Sequence, residues 1–338
     1  MKSPRMLDEH LVNLQHAQAV QPTSLPTISA DVSRNFSFAK VVAILTVATG
    51  HWFTGTILWI PVTFGLLVFA FSSAYFTSAI YGTRIQRRIF WRKKLERLGV
   101  RYWVVLGFIM LVADMPSRTV WHWHSLVHFA GLTGVLNWFR IPNESALGAG
   151  LWFFTLLLLF YFSYPYLAQA ARSKFSSVLI VVVGFILAVL LEENVKVGHE
   201  LWLTAYGFVV GTAWGMHRPR VSAFWALVLT VSLWGALLVL NLIGIKQLNT
   251  VLLAAGGILV AVWLTVVRLP QYGIIDQIAL LDKYVLEIFL VHSYLFIHPT
   301  GHQIADFLIS ICLIIVTAVL LGMGADRLSA HLFQKSPC

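Results

Sequence analysis

The chain has 338 residues, 58% hydrophobic and 11% charged, with a mean hydropathy of +0.78 and a net charge of +10. A soluble domain of this size carries about 25% charged residues, so the composition excludes a soluble protein and indicates an integral membrane one. The basic excess sits in short segments between apolar runs, which excludes nucleic acid as its partner and leaves topology and anionic lipid headgroups.

In chain order, residues 1–34 are polar and mixed in charge, with no apolar stretch ahead of a cleavage site, and read as a cytoplasmic tail. Apolar runs long enough to cross a bilayer follow at about 36–54, 58–80, 101–116, 148–169, 176–192, 200–216, 221–243, 248–267, 274–297 and 304–324. The expected fold is therefore all-α, a polytopic bundle of about ten transmembrane helices over 35–325, with a second cytoplasmic tail at 326–338. Ten crossings put both termini on one side. That side, with the helix segments entered from it, holds 20 Lys and Arg, against only Arg118, Arg140, Lys196 and Lys246 on the other. The asymmetry makes the terminal side cytoplasmic. Cys312 lies in an apolar run and Cys338 ends the chain, so no structural disulfide is expected.

The first run, "AKVVAILTVATGHW", carries Lys40 and His51. Eleven helical steps return to nearly the same face, roughly 16 Å along the axis. Polar groups aligned on one face inside lipid are costly and mark function. Between the second and third runs stands a dense basic loop: Arg84, Arg87, Arg88, Arg92, Lys93, Lys94, Arg97 and Arg101. It reads either as a lipid-surface anchor or as an anion site for a phosphorylated ligand. No nucleotide-binding glycine motif accompanies it.

The long connection at 117–147 includes "WHWHSLVH" and a partly apolar stretch suited to a re-entrant or interfacial helix. His124 and His128 have i, i+4 spacing, but Asp114 is distant and Glu144 follows a long gap, so no metal is expected. These aromatic and histidine side chains suit sugar stacking. "HPTGH" at 298–302 reads as an external turn. In the ninth run, Glu287 is an ionisable group in apolar sequence, with Lys283 four residues earlier as a possible neutralising partner. His292 lies about 140° around the helix from Glu287.

Five stretches together resemble the membrane-bound acyltransferase 3 family. They are Lys40 with His51; "LLVFAFSSAYFTS" at 66–78, where Ser73 replaces the usual glycine; "FWRKKLERLGVRYW" at 90–103, with Lys93, Lys94 and Arg97 in the family's basic spacing; "GLWFFTLLLLFYFSYPYL" at 150–167; and "LEIFLVHSYLFI" at 286–297, with His292. The resemblance spans about 36–300. It implies an acyl-CoA donor, acetyl-CoA foremost, on the cytoplasmic side of a bacterial-type inner membrane. The acceptor would be a hydroxyl of an extracytoplasmic glycan or lipid-linked sugar. His51 would act as base or brief acyl carrier, Lys40 would steady the donor, and Glu287 and His292 would complete the catalytic set. Lys93, Lys94 and Arg97, with Arg92 beside them, would hold the donor phosphates. Two rival readings are a proton-coupled secondary transporter using intramembrane Lys, His and Glu, and an inactive homologue, suggested by the Lys40 and Ser73 departures.

Overall fold

A computed structural model describes residues 28–83, 85–112, 122–148, 150–195 and 201–333. Among these the chain is helical throughout, with no strand, as expected for an all-α membrane bundle. Helix α1 (Ala30–Trp52) is followed by α2 (Trp59–Tyr81). The basic loop itself is helical: α3 (Arg87–Lys94) passes through a π-helical turn (Leu95–Gly99) into α4 (Val100–Val112). Two short helices, α5 (Trp123–Phe129) and α6 (Thr133–Trp138), lead to α7 (Trp152–Ala170). Then come α8 (Lys174–Asn194), α9 (Leu201–His217), α10 (Ala223–Leu242) and α11 (Asn249–Val266). Six helices in the described residues are both long and apolar enough to cross a membrane: α2, α7, α8, α10, α11 and α14 (Gln303–Phe333).

The ninth apolar run departs from expectation. It is not one helix but four short pieces: α12 (Gly273–Leu280), a 3-10 turn (Leu281–Tyr284), α13 (Val285–Val291) and a second 3-10 turn (His292–Tyr294). The first break falls where Asp282 and Lys283 interrupt the apolar sequence, and both side chains form ion pairs there. Helix α1 also starts earlier than expected. Ser29 caps it by accepting a hydrogen bond from the Val32 amide, and Asp31 occupies the first turn, where carboxylates suit the helix dipole. Residues that made this stretch look like a tail are used on neighbouring helix ends. Asn35 donates to the carbonyls of Leu264 and Val267, and Arg34 binds Asp276 and the carbonyls of Leu269 and Pro270.

Two hydrophobic clusters make up the interior. One gathers buried side chains of α1, α2, α4, α7, α13 and α14; the other gathers those of α1, α2, α9 and α11. Helix α2 serves both, and it is the most buried of the apolar spans, whereas α8 and α10 present most of their surface outward. Its closest neighbour is α9, through Gly207, Gly211 and Gly215, one glycine per turn-and-a-bit on one face. A Cβ at Gly211 would stand 2.3 Å from the Phe71 carbonyl oxygen, and one at Gly215 2.6 Å from that of Tyr75. Only hydrogen fits, so the two backbones touch.

Candidate active site

His51 lies in the last turn of α1, and His292 begins the 3-10 turn that ends α13. Their rings meet with centroids 5.2 Å apart. His292 is fully buried. Its Nδ1 lies 2.6 Å from the Phe289 carbonyl oxygen, so that nitrogen carries the proton. Its Nε2 is then the acceptor, 3.2 Å from the Ser293 hydroxyl. With both ring nitrogens engaged, His292 is a fixed ring against which His51 sits. Space beside the pair comes from Gly150, whose φ of +72° suits a glycine. A Cβ there would approach Ser293 Oγ to 3.5 Å and His292 Cε1 to 3.6 Å.

Beyond His51 the chain end of α1 enters an aromatic group. Trp52 stacks on His298 at 4.6 Å and meets Phe296 and Phe307 edge-on or tilted, and Phe53 also reaches Phe307. The turn at 298–301 is held on the Asp306 carboxylate, which accepts from the Thr300 amide and hydroxyl and the Gly301 amide.

About three turns of α1 below His51, Lys40 pairs with Asp282 at 2.6 Å, and Ser37 donates to the same carboxylate. Nearby, Arg101 donates to Glu287 at 2.6 Å, to Asp326 at 2.5 Å and to the Lys283 carbonyl at 2.8 Å. The anticipated Lys283–Glu287 pairing is not formed: Lys283 binds Asp326 at 2.8 Å, while buried Glu287 takes Arg101. The break between Lys283 and α13 ends the regular helix that i, i+4 pairing needs.

Beside this network lies a cavity of about 420 Å³. Four cations line it, Lys93, Arg97, Arg101 and Lys283, with Glu96 and Asp326 as the acids. Of the four basic residues expected to hold phosphates, Lys93 and Arg97 are on its wall. Lys94 turns away, with its Nζ 3.8 Å from the centre of the Tyr161 ring, and Arg92 pairs with Glu96 at 2.6 Å on the exposed side of the helix. Burial, helped by the Arg97 charge, pulls the Lys94 pKa down to about 7.

The structure therefore joins His51 to His292 and Lys40 to Asp282, and places Glu287 in a separate ion cluster. Sequence reading missed Asp282, Arg101 and Asp326. Asp282 becomes a partner for Lys40 only because the ninth run breaks at Leu281–Tyr284.

The segment at 122–148 is tied to the bundle by hydrogen bonds. The Tyr102 hydroxyl donates to the His128 carbonyl, Trp103 Nε1 to the Phe129 carbonyl at 3.1 Å, and the Gly148 amide to the Tyr294 hydroxyl at 2.8 Å. His128 uses both ring nitrogens, on Thr133 and Asn143, so the His124/His128 pair is not a ligand pair.

Comparison with curated proteins and with solved structures gave no match. Residues 33–325 match the acyltransferase 3 family, described as an acyltransferase domain, a stretch holding every residue of the two clusters described above except Asp326. By that match, which covers most of its length, this helical membrane protein belongs to the acyltransferase 3 family.

Proposed function

We propose that this membrane acyltransferase carries an acyl group, acetyl first among candidates, from acyl-CoA to a hydroxyl of a glycan or lipid-linked sugar. The observation that carries the reading is the meeting of His51 and His292 at 5.2 Å, with a basic cavity at one level of the bundle and an aromatic group beyond His51 at the other. Lys93, Arg97, Arg101 and Lys283 supply the charge that coenzyme phosphates need. The acyl arm then runs along α1 from the Lys40 level toward His51, about 16 Å. An acceptor hydroxyl entering between Trp52, Phe296 and His298 gives its proton to His51. Its oxygen attacks the thioester carbonyl, the C–S bond breaks, and the proton passes from His51 to the departing thiolate. His292, held by the Phe289 carbonyl, keeps the paired rings in place.

With the basic cavity taken as cytoplasmic, the charge asymmetry of the chain supports both termini inside, and the family suggests a bacterial-type inner membrane. The transporter reading loses its ground with the family match. The test is acyl-CoA turnover by the purified protein, together with mass spectrometry of cell-envelope glycans with and without the gene. Slow acetyl-CoA hydrolysis that vanishes in His51→Ala, and a lost acyl mass on one glycan, are expected. A chain that neither binds nor consumes acyl-CoA would identify an inactive homologue.

A further inference from the structure

Glu144 is distant from the histidines of "WHWHSLVH" in sequence, yet the fold closes that gap. His122 Nε2 lies 3.0 Å from Glu144 Oε2, and the Glu144 amide donates to His124 Nδ1 at 3.2 Å. One ligand atom from each of His122, His124 and Glu144 lies within 4.8 Å of the others. The two arms that bring them together are pinned independently, by the Ser125–Ser145 hydroxyl pair at 2.7 Å and by Asn143 on His128 at 3.1 Å. Contacts outside the cluster thus hold the three side chains near one another.

One atom in this arrangement is unexplained. His124 is 4% exposed, and among the described residues its Nε2 has no hydrogen-bond partner. Its Nδ1 accepts from a backbone amide, so the proton sits on Nε2, where no described residue accepts it. A buried donor left without a partner costs about 1–3 kcal/mol. A simple His122–Glu144 pair leaves that cost in place.

We propose that His122, His124 and Glu144 form a divalent transition-metal site, zinc by its donor type, that clasps the ends of the 122–148 segment. Two imidazoles and one carboxylate suit zinc, and poorly suit calcium or magnesium, which prefer oxygen alone. Both rings bind through Nε2. Each moves its proton to Nδ1 and gives up a backbone contact of 3.2–3.3 Å, already long for a hydrogen bond. Three protein donors leave a fourth position for water. Because Gly148 at the end of the same segment bonds Tyr294, two residues from His292, the metal steadies one wall beside the histidine pair.

The test uses the full chain purified in detergent and stripped with a chelator. Zinc chloride titration should show one tight site per chain and a rise in the thermal unfolding midpoint. Glu144→Gln and His122→Gln, both toward the surface and so tolerant of change, should each weaken zinc at least ~10-fold and abolish the rise. His124→Gln should do the same, and the double control His298→Gln/His302→Gln should retain both effects. Equal zinc affinity in wild type and in the Glu144→Gln/His122→Gln double variant overturns the proposal. So does loss of the tight site in the control, or an equal midpoint rise with calcium or magnesium.

Discussion

Arg101→Met removes the guanidinium that faces Glu287, Asp326 and the Lys283 carbonyl at once. Glu287 is fully buried, and among the described residues its second oxygen has no partner. Without Arg101 its carboxylate stands alone in the bundle, whereas Asp326 keeps Lys283. Breaking a buried pair by removing one partner costs about 3–5 kcal/mol, most of it from the charge left behind. The double variant Arg101→Met/Glu287→Leu removes that charge too, so it should regain most of the loss, with a coupling energy of roughly 2–3 kcal/mol. Denaturant unfolding in micelles, followed by tryptophan fluorescence, compares the four proteins of the cycle. Single-variant losses below about 1 kcal/mol, or a double variant equal to the sum of the singles, would refute the view that Arg101 neutralises Glu287.

Further outcomes follow from other parts of the bundle. His51→Ala should lower acyl transfer by ~10²–10⁴-fold in a folded protein that still binds acyl-CoA; near-normal turnover removes it from the base role. Lys40→Arg should retain activity and the Asp282 contact, and Lys40→Met should raise the KM for donor in a steady-state assay. Gly211→Ala places a methyl carbon against the Phe71 carbonyl and should cost about 1–3 kcal/mol of unfolding free energy, while Gly235→Ala, which meets open space, should be neutral or better. For Lys94 the folded pKa lies below the unfolded 10.5, so the unfolded chain binds more protons between about 7 and 10.5 and stability should rise with pH across that window. Lys94→Met should flatten the rise, read as unfolding midpoint against pH.

The all-α membrane class was legible because a spanning run must be apolar over about 20 residues, a demand that holds whatever the partners are. The Lys40–His51 alignment was legible for a similar reason: both ride on one unbroken α1. What could not be read is what each meets across the bundle. Asp282 and His292 come from a run whose average hydropathy conceals two 3-10 breaks. Arg101 looked like one more surface cation because it follows seven others, yet its side chain is mostly buried. Lys94 and Lys93 are adjacent and chemically alike, but a helix sends neighbours about 100° apart, so one faces the cavity and the other Tyr161. The glycines at 207, 211 and 215 were open to reading by their four-residue spacing alone.

The central place of α2 has a consequence for biosynthesis. Its main partner α9 begins roughly 120 residues after α2 ends, and at about 5–20 residues per second that is a wait of some 6–24 s. During that interval a helix later enclosed on all sides must sit against lipid. Three of its hydroxyls suit that interval: Thr63 donates to the Trp59 carbonyl, Ser72 to Phe69 and Thr77 to Ser73, each within its own helix. No foreign partner is needed to satisfy these three, which lowers the polar surface α2 exposes to the bilayer while it waits. They therefore serve the nascent chain as well as the finished one. Replacing them with Asn or Gln, which seek partners across helices, would expose the waiting helix to premature association long before α9 emerges from the ribosome.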